Sequence, residues 1–255
     1  MTASTKNTND ELLSAISSSF MAKNVDFDSP SQHVVESLKA RWTTIVCPPL
    51  FRNDTTTMGR WWDRIVNLHS APDRRYHTLV HLFEMMGYVD LVEQSTNPTM
   101  ILAVFFHDAI YDATSGTNEE DSANLFREFC NDMHCRDAEI VSSVIRYILQ
   151  TKSHVIPKDG CDRNLALFLD IDMAVLGKDE PAYLHYASLI RQEYHFVEQS
   201  VYCEKRANIL STFLGEKDIF ASQLLNEALE PQARHNLRME IELLKAGAIP
   251  GEGET

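Results

Sequence analysis

The chain has 255 residues, of which 44% are hydrophobic and 24% charged, which is enough apolar material for a sizeable core. Its formal net charge of -14 disfavours a nucleic-acid partner, because such a surface repels the phosphate backbone. No apolar run approaches the roughly 20 residues of a membrane span, and no secretory signal is seen. These features predict a cytoplasmic protein without a membrane or nucleic-acid partner, and they leave the oligomeric state open.

One domain is expected over residues 31–247. Residues 1–30 are rich in Ser, Thr and Asn and are predicted to be a flexible leader, and residues 248–255 are predicted to be a disordered tail. The five cysteines are an odd number without a CxxC spacing. This predicts reduced thiols rather than a disulfide framework or a zinc-thiolate site.

Helical signals run through the rest of the chain and predict an all-α bundle of eight to ten helices. Ser31 is suited to capping the first helix. The apolar run MILAVFF, within 99–111, is expected to form a helix through the centre of the domain, with a strand as the rival interpretation. Further helices are predicted around Trp61 up to residue 70, and over 76–89, 121–130, 137–150, 165–176, 181–197, 207–214 and 231–247.

Imidazole and carboxylate residues recur in this helical context, and they are the ligands that many divalent metals take. His77 and His81 are four residues apart, a spacing that on a helix points both rings to one face. His107 and Asp108 follow the apolar run, where a buried carboxylate requires a compensating partner. A metal ion would be that partner, although a histidine pair of this spacing also occurs on ordinary surfaces.

A third cluster consists of Asp170 and Asp172, which lie among apolar residues. At least one of these carboxylates is expected to be buried and compensated. An arginine partner would explain a buried aspartate as well as a metal would. The combination of three such clusters favours a metal site.

The order of these clusters, H…HD…D, resembles the signature of the HD superfamily of metal-dependent phosphohydrolases. More narrowly, the chain is similar to a family of predicted HD phosphohydrolases. The similarity covers roughly residues 58–246, with Thr78 in place of a usual Asn and Met173 in place of Leu. It rests on RRYHTLVH at 74–81, FHDAIYD at 106–112, NEEDSA at 118–123, Thr151 with His154, DIDM at 170–173, IRQEY at 190–194 and ARHNL at 233–237.

The resemblance implies an HD-domain helical bundle that hydrolyses a phosphate ester or anhydride of a small molecule, with a nucleotide as the leading candidate. It implies one or two divalent metal ions, which could be Mn, Mg, Zn, Co or Ni. The implied metal ligands are His81, His107, Asp108 and Asp172. A non-catalytic nucleotide-binding HD scaffold and a di-iron oxygenase of the same superfamily are the alternatives.

The resemblance also implies separate roles for the residues around the metal. His77 corresponds to the proton donor in the YHxxxH block of cyclic-nucleotide phosphodiesterases, which makes it the general acid. Asp108 is expected to position the attacking water as well as bind the metal. Of the two carboxylates in the DxD block, Asp172 is the implied ligand and Asp170 a supporting residue, and the reverse assignment remains open.

Four further residues are candidates for supporting roles. Arg74 could bind a phosphate through its planar guanidinium, and Lys152 and His154 could form an opposite substrate-binding edge. Glu119 could accept a hydrogen bond from a ligating histidine. Each has a structural alternative: a surface arginine before a helix, a solvated helix end, and an acidic residue in the first turn of a helix.

Overall fold

The structure, a computed structural model, describes residues 30–154 and 162–250. These residues form ten α-helices and one 3-10 helix and contain no strand, so the predicted all-α fold is confirmed. The α-helices are α1 (Gln32–Ile45), α2 (Thr55–His69), α3 (Leu79–Leu91), α4 (Pro98–Phe106), α5 (Asn118–Asp132), α6 (Ala138–Gln150), α7 (Arg163–Asp172), α8 (Glu180–Glu193), α9 (Gln199–Gly215) and α10 (Gln223–Lys245). The 3-10 helix spans Met173–Gly177 and follows α7 directly.

Two compact units divide the described residues, an N-terminal unit up to residue 169 and a C-terminal unit from residue 170. The single domain predicted over 31–247 stays a prediction. The predicted leader lies outside the described residues apart from Pro30, and the predicted tail does so apart from 248–250. No described helix combines the length and the apolar character needed to cross a bilayer.

Helix α4 forms the centre of the N-terminal unit, where it packs against α1, α3, α5 and α6. Every side chain of its MILAVFF run is at most 2% exposed. Trp42 of α1 meets Phe105 edge-on with ring centroids 5.3 Å apart, and Phe129 of α5 lies at the same distance from Trp42. Because neighbours surround α4, the run is apolar on all sides, and the helical interpretation of this run is confirmed.

The end of α4 differs from the sequence-based prediction of a helix over 99–111. The helix stops at Phe106, His107 forms its C-cap, and Asp108 lies in the turn that follows. Asp108 is therefore not inside a helix as expected. The turn is stabilised by Arg74, whose guanidinium donates to the Asp108 carbonyl at 2.7 Å and so replaces a helical hydrogen bond.

The start of α3 also corrects the expected arrangement of the first histidine pair. The helix begins at Leu79, so His77 precedes it and does not lie one helical turn before His81. Thr78 is the N-cap, with an extended backbone and a side-chain oxygen that accepts the Val80 N–H at 3.3 Å. The helix begins only after Thr78, because the backbone of an N-cap residue is itself not helical.

A buried polar cluster holds the C-terminal unit together. Arg206 of α9 donates from Nε to Glu240 of α10 at 3.0 Å, and the Tyr183 hydroxyl of α8 donates to the same carboxylate. Glu240 and Tyr183 are completely buried. Since the carboxylate has a charged partner and a hydroxyl donor, its burial is compensated.

The chain after α7 is a 3-10 helix rather than the continuous α-helix predicted over 165–176. Asn236 of α10 is buried, and its side-chain amide donates to the carbonyls of Leu176 and Lys178 at 2.8 Å each. These two carbonyls therefore accept hydrogen bonds from a side chain instead of from the backbone of a continuing α-helix. The α-helix itself ends at Asp172.

The last helix is longer than the sequence predicted. Pro231 was expected in its first turn but lies inside it, in the interior of Gln223–Lys245. Proline lacks the N–H that a helix interior uses, yet the preceding residues stay helical because Leu225 and Leu229 are buried on this helix. The predicted end at Gly247 is confirmed, where a φ of 77° suits glycine.

Gly177 lies where α10 leaves no space for a side chain. An added Cβ would lie 2.5 Å from Leu229 Cβ and 3.1 Å from Leu229 Cα. We therefore expect Gly177→Ala to lower the free energy of unfolding by about 1–3 kcal/mol, measured by urea denaturation. Gly59→Ala on α2 is the matched control, because nothing lies within 4 Å of its added Cβ. Equal stability of Gly177→Ala and the wild type would contradict this packing.

Candidate metal centre

Three side chains of the N-terminal unit bring their ligand atoms to one point. Nε2 of His81 lies 3.3 Å from Nε2 of His107, and Oδ2 of Asp108 lies 3.1 Å from the His107 nitrogen and 4.0 Å from the His81 nitrogen. All three atoms lie within 4.8 Å of one another. Among the described residues, no other group of three or more His, Cys, Asp or Glu side chains converges in this way.

The hydrogen bonding of His107 directs its Nε2 atom into the cluster. Its Nδ1 lies 3.0 Å from the Val104 carbonyl, an acceptor, so Nδ1 carries the proton. This leaves a lone pair on Nε2, the state in which histidine binds a metal. His81 and His107 are 2% and 1% exposed, so bulk water does not solvate the two facing nitrogens.

The donor set and its spacing fit a divalent cation. Two imidazoles and a carboxylate are a common protein ligand set for zinc and similar metals. Ligand atoms bound about 2.1 Å from one ion at tetrahedral or octahedral angles lie about 3.0–3.4 Å apart. Two of the three observed separations are 3.1 and 3.3 Å. The third separation, 4.0 Å between His81 Nε2 and Asp108 Oδ2, is longer. The Asp108 side chain is 19% exposed and therefore less tightly enclosed than the imidazoles.

His77 lies at the edge of this cluster. Its Nε2 is 3.9 Å from Asp108 Oδ2, and its ring centroid is 6.0 Å from that of His81. Tyr111 stacks on the His77 ring with centroids 4.2 Å apart and an interplanar angle of 29°. The His77 side chain is 18% exposed, against 3% for His81 and 0% for His107. His77 is therefore the imidazole of the three that a bound molecule can reach.

Arg74, which the sequence suggested as a phosphate-binding residue or a surface arginine before a helix, is buried. Its Nη1 donates to the carbonyls of His77 and Asp108 at 2.8 and 2.7 Å, and its Nη2 donates to the Ala109 carbonyl at 2.9 Å. Its guanidinium carbon also lies 5.4 Å from the centroid of the Tyr111 ring. One side chain thus joins the segment before α3 to the turn after α4. The structure gives Arg74 a positioning role.

Sequence reasoning missed two residues that support the turn after Asp108. Tyr111 stacks on His77, as described above. Ser122 of α5 is completely buried, and its hydroxyl accepts the Ile110 N–H at 3.0 Å and donates to the Ile110 carbonyl at 3.2 Å. A small polar residue on the apolar face of α5 was the available signal for Ser122. The sequence carried no comparable signal for the stacking of Tyr111.

His69 is a further buried histidine that sequence reasoning missed. It closes α2 and is 1% exposed, and its Nδ1 donates to the Ile65 carbonyl at 3.0 Å. Burial, and then the positive charge of Arg74, hold the pKa of His69 well below its usual range. His69 is therefore neutral at physiological pH. Its position four residues after Ile65, on the buried face of α2, was the available signal.

Lys152, predicted to bind substrate, and Glu119, predicted to support a ligating histidine, belong to one ion-pair cluster. Lys152 Nζ lies 2.6 Å from a carboxylate oxygen of Glu120 and 3.6 Å from one of Glu119, and it donates to the Gly116 carbonyl at 2.7 Å. The hydrogen bond to Glu120 raises the pKa of Lys152. In the part of the chain that the structure describes, no histidine donates to Glu119, contrary to the predicted support of a ligating histidine.

His154 follows α6 in a left-handed backbone conformation with a φ of 52°, at the last residue described before 162. Its backbone N–H donates to the Gln150 carbonyl at 3.0 Å. The predicted substrate-binding roles of His154 and Lys152 stay predictions.

The two carboxylates of the DxD block lie in the C-terminal unit and have different surroundings. Asp170 is 3% exposed and accepts the backbone N–H groups of Ala221 and Ser222 at 2.9 and 2.6 Å. Burial raises the pKa of Asp170, and these hydrogen bonds oppose that shift. The expected compensation of a buried carboxylate therefore comes from backbone amides at the start of α10. Asp172 is partly buried at the last residue of α7, and its assignment as a ligand stays a prediction.

Comparison with known proteins yields no match to this chain among family models, curated proteins or solved structures. The resemblance to the HD superfamily accordingly stays a prediction.

The burial of Arg74 predicts a loss of stability when its side chain is removed. Arg74→Ala leaves three carbonyls without their charged donor, so we expect the free energy of unfolding to fall by at least about 2–3 kcal/mol in urea denaturation. Arg74→Lys should recover only part of this, since an ammonium cannot reproduce the planar fork. Arg127→Ala, at an exposed position of α5, is the control and should change stability by less than about 0.5 kcal/mol. An Arg74→Ala protein as stable as the control would argue against the positioning role.

Proposed function

We propose that the protein is a metal-dependent phosphohydrolase that cleaves a phosphate ester or anhydride of a small molecule, with a nucleotide as the leading candidate. The observation that carries this proposal is the convergence of His81, His107 and Asp108 on one point, with His77 beside them. The resemblance to the HD superfamily assigns His81, His107 and Asp108 to its H…HD…D signature, and the similar block of cyclic-nucleotide phosphodiesterases makes His77 the proton donor. The reaction type comes from the resemblance, and the convergence of these side chains supports it.

Electrostatics favour a cation at this point. His107 Nε2 has two close polar neighbours, the His81 nitrogen at 3.3 Å and the Asp108 oxygen at 3.1 Å. With its proton on Nδ1, His107 presents a lone pair at Nε2, and a divalent cation binds all three atoms at once. Both imidazoles are buried, so bulk water does not compete for the ion on that side. A metal ion is the simplest group that stabilises the whole arrangement.

In this proposal the role of each side chain follows from how accessible it is. A bound divalent cation lowers the pKa of a water molecule and stabilises charge on a phosphoryl oxygen. His81 and His107 hold the ion from the buried side. Asp108 is partly exposed, so its carboxylate can also accept a hydrogen bond from the attacking water. His77, the most accessible imidazole, donates a proton to the leaving oxygen.

The net negative charge of the chain limits how an anionic substrate can be recognised. A protein with a net charge of -14 attracts an anionic substrate only through a local positive charge. The two cations predicted for this purpose are otherwise engaged, Arg74 with backbone carbonyls and Lys152 with Glu120. The proposal therefore assigns recognition of the phosphate charge to the metal centre and His77. A fourth ligand, Asp172, and the choice among Mn, Mg, Zn, Co and Ni belong to the same proposal.

The proposal predicts metal-dependent release of phosphate. Purified protein is screened against a panel of nucleotides and phosphate esters with Mn or Mg, while metal affinity is measured by calorimetry. Asp108→Ala should abolish turnover and weaken metal binding by more than about 100-fold, because changes even in residues behind the ligands cost 10–100-fold. Asp63→Ala, which removes the same charge from an exposed position of α2, should behave as the wild type.

The metal found in the purified protein separates the alternatives in the same experiment. Mn, Mg, Zn, Co or Ni together with phosphate release supports hydrolysis. A pair of iron ions with an optical absorption band would instead support a di-iron oxygenase. A chain that binds nucleotides but no metal would support a non-catalytic scaffold. Undiminished turnover in Asp108→Ala would contradict the assignment of this site.

A separate prediction concerns His77. The variant His77→Gln keeps a polar side chain of similar length but cannot act as an acid near neutral pH. We expect kcat to fall by about 10²–10⁴-fold, the usual contribution of general acid catalysis, while metal affinity stays within a few-fold of the wild type. Substrates with a good leaving group, such as nitrophenyl phosphates, should be affected least. Loss of bound metal in His77→Gln would show that His77 is a ligand instead.

A further inference from the structure

We propose that Cys130 and Cys135, at the C-terminal end of α5, form a redox-active thiol pair that closes to a disulfide by exchange with a low-molecular-weight disulfide. This site lies outside the candidate metal centre and is independent of the proposed hydrolase activity. It goes beyond the sequence-based expectation of reduced thiols, which gave the cysteines no redox role. The argument begins with the way in which α5 ends.

Helix α5 ends in a Schellman motif that brings the two cysteines together. Met133 is the C-cap, and His134 follows with a left-handed φ of 50°. The His134 N–H donates to the Asn131 carbonyl at 3.2 Å, and the Cys135 N–H donates to the Cys130 carbonyl at 2.8 Å. These are the two hydrogen bonds of the motif, in which the side chains at the positions of Cys130 and Cys135 characteristically contact each other.

The two side chains are neighbours, because each thiol is the largest influence on the pKa of the other. Both cysteines are unbonded to any other sulfur among the described residues. The end of the helix is itself held in place: the Arg52 N–H donates to the Met133 carbonyl at 2.9 Å, and the Trp61 indole donates to Asp132 at 3.1 Å. A fixed backbone keeps the two cysteines at neighbouring positions of the motif, so closure of the disulfide requires rotation of their side chains rather than movement of the helix end.

The surroundings distinguish an attacking thiol from a resolving one. Cys130 is 8% exposed, whereas Cys135 is partly exposed and within reach of a small molecule. The neighbouring Cys130 thiol lowers the pKa of Cys135 to about 7 against the opposing effect of burial, and backbone N–H groups make smaller contributions in the same direction. The same interaction, together with burial, raises the pKa of Cys130. Cys135 is therefore the thiol that supplies a thiolate near neutral pH.

The exchange proceeds in two balanced steps. The Cys135 thiolate attacks one sulfur of the disulfide RSSR, forms a mixed disulfide with it and expels RS⁻. Cys130 then loses its proton, and its sulfur attacks the Cys135 sulfur, breaks the mixed disulfide and expels the second RS⁻. The two protons lost by the protein thiols end on the two RS⁻ groups. The two cysteines are oxidised to one disulfide, and RSSR is reduced to two molecules of RSH.

Tryptic peptides provide a direct test with oxidised glutathione as the probe. Cleavage after Arg127 and Arg136 places both cysteines in the peptide 128–136. After treatment of the native full-length chain, we expect this peptide to be lighter by two hydrogen atoms, with the change reversed by dithiothreitol. The rate should rise with pH to half its maximum near pH 7, the pKa of Cys135. A peptide that stays reduced would overturn the proposal.

Single substitutions then test the two roles. In Cys130→Ser, or in Cys130→Ala if serine destabilises the buried site, Cys135 should accumulate as a stable mixed disulfide with glutathione. In Cys135→Ser, Cys130 should remain reduced. Cys47→Ser, at a partly exposed cysteine elsewhere in the N-terminal unit, is the matched control and should leave the reaction unchanged. A mixed disulfide on Cys130 in native Cys135→Ser, confirmed as folded by circular dichroism, would contradict the assignment.

Discussion

The candidate metal centre depends on the hydrogen bonds that the buried guanidinium of Arg74 donates. The guanidinium donates to carbonyls on both sides of the site, on His77 before α3 and on Asp108 and Ala109 after α4. These carbonyls lie outside the helical ladders, and Arg74 supplies each of them with a hydrogen bond in a buried or partly buried position. A planar group with several donors can satisfy three acceptors at once, which an ammonium cannot do.

The consequences of this interaction reach the ligands themselves. Since α4 ends after Phe106, the Asp108 side chain lies in a turn and stands 3.1 Å from the His107 nitrogen. The main chain of His77 is held by the same guanidinium, and its ring is fixed by the stacked Tyr111. Arg74 thus helps to position both the Asp108 carboxylate and the accessible imidazole of His77. Accessibility, in turn, separates the proposed proton donor from the proposed ligands.

The sequence predicted the parts of the fold that depend on local periodicity. Long apolar faces and the MILAVFF run specified helices, and Ser31 and Gly247 marked ends that the structure confirms. Helix ends that depend on side chains far away in the sequence could not be predicted from local periodicity. Arg74 lies more than thirty residues before the turn that it stabilises, and Asn236 of α10 bonds the 3-10 helix from about sixty residues away. The N-cap Thr78, to which the sequence analysis gave no capping role, explains why His77 precedes α3.

The candidate site, like the fold, could be predicted only in part from the sequence. Residue types and order were enough to predict that His81, His107 and Asp108 come together, because few buried arrangements compensate such groups. The roles of charged residues were harder to predict, since a sequence does not show whether a guanidinium or an ammonium is already engaged. Arg74 and Lys152 are both engaged, with backbone carbonyls and with Glu120. Asp170 is compensated by backbone amides rather than by a metal or an arginine.

The most direct measurement of the central claim is anomalous X-ray diffraction from crystals of the protein grown with Mn²⁺. The account predicts an anomalous peak about 2.0–2.3 Å from Nε2 of His81, Nε2 of His107 and a carboxylate oxygen of Asp108. A fully occupied manganese site elsewhere in the protein, with no peak between these three side chains, would contradict the account.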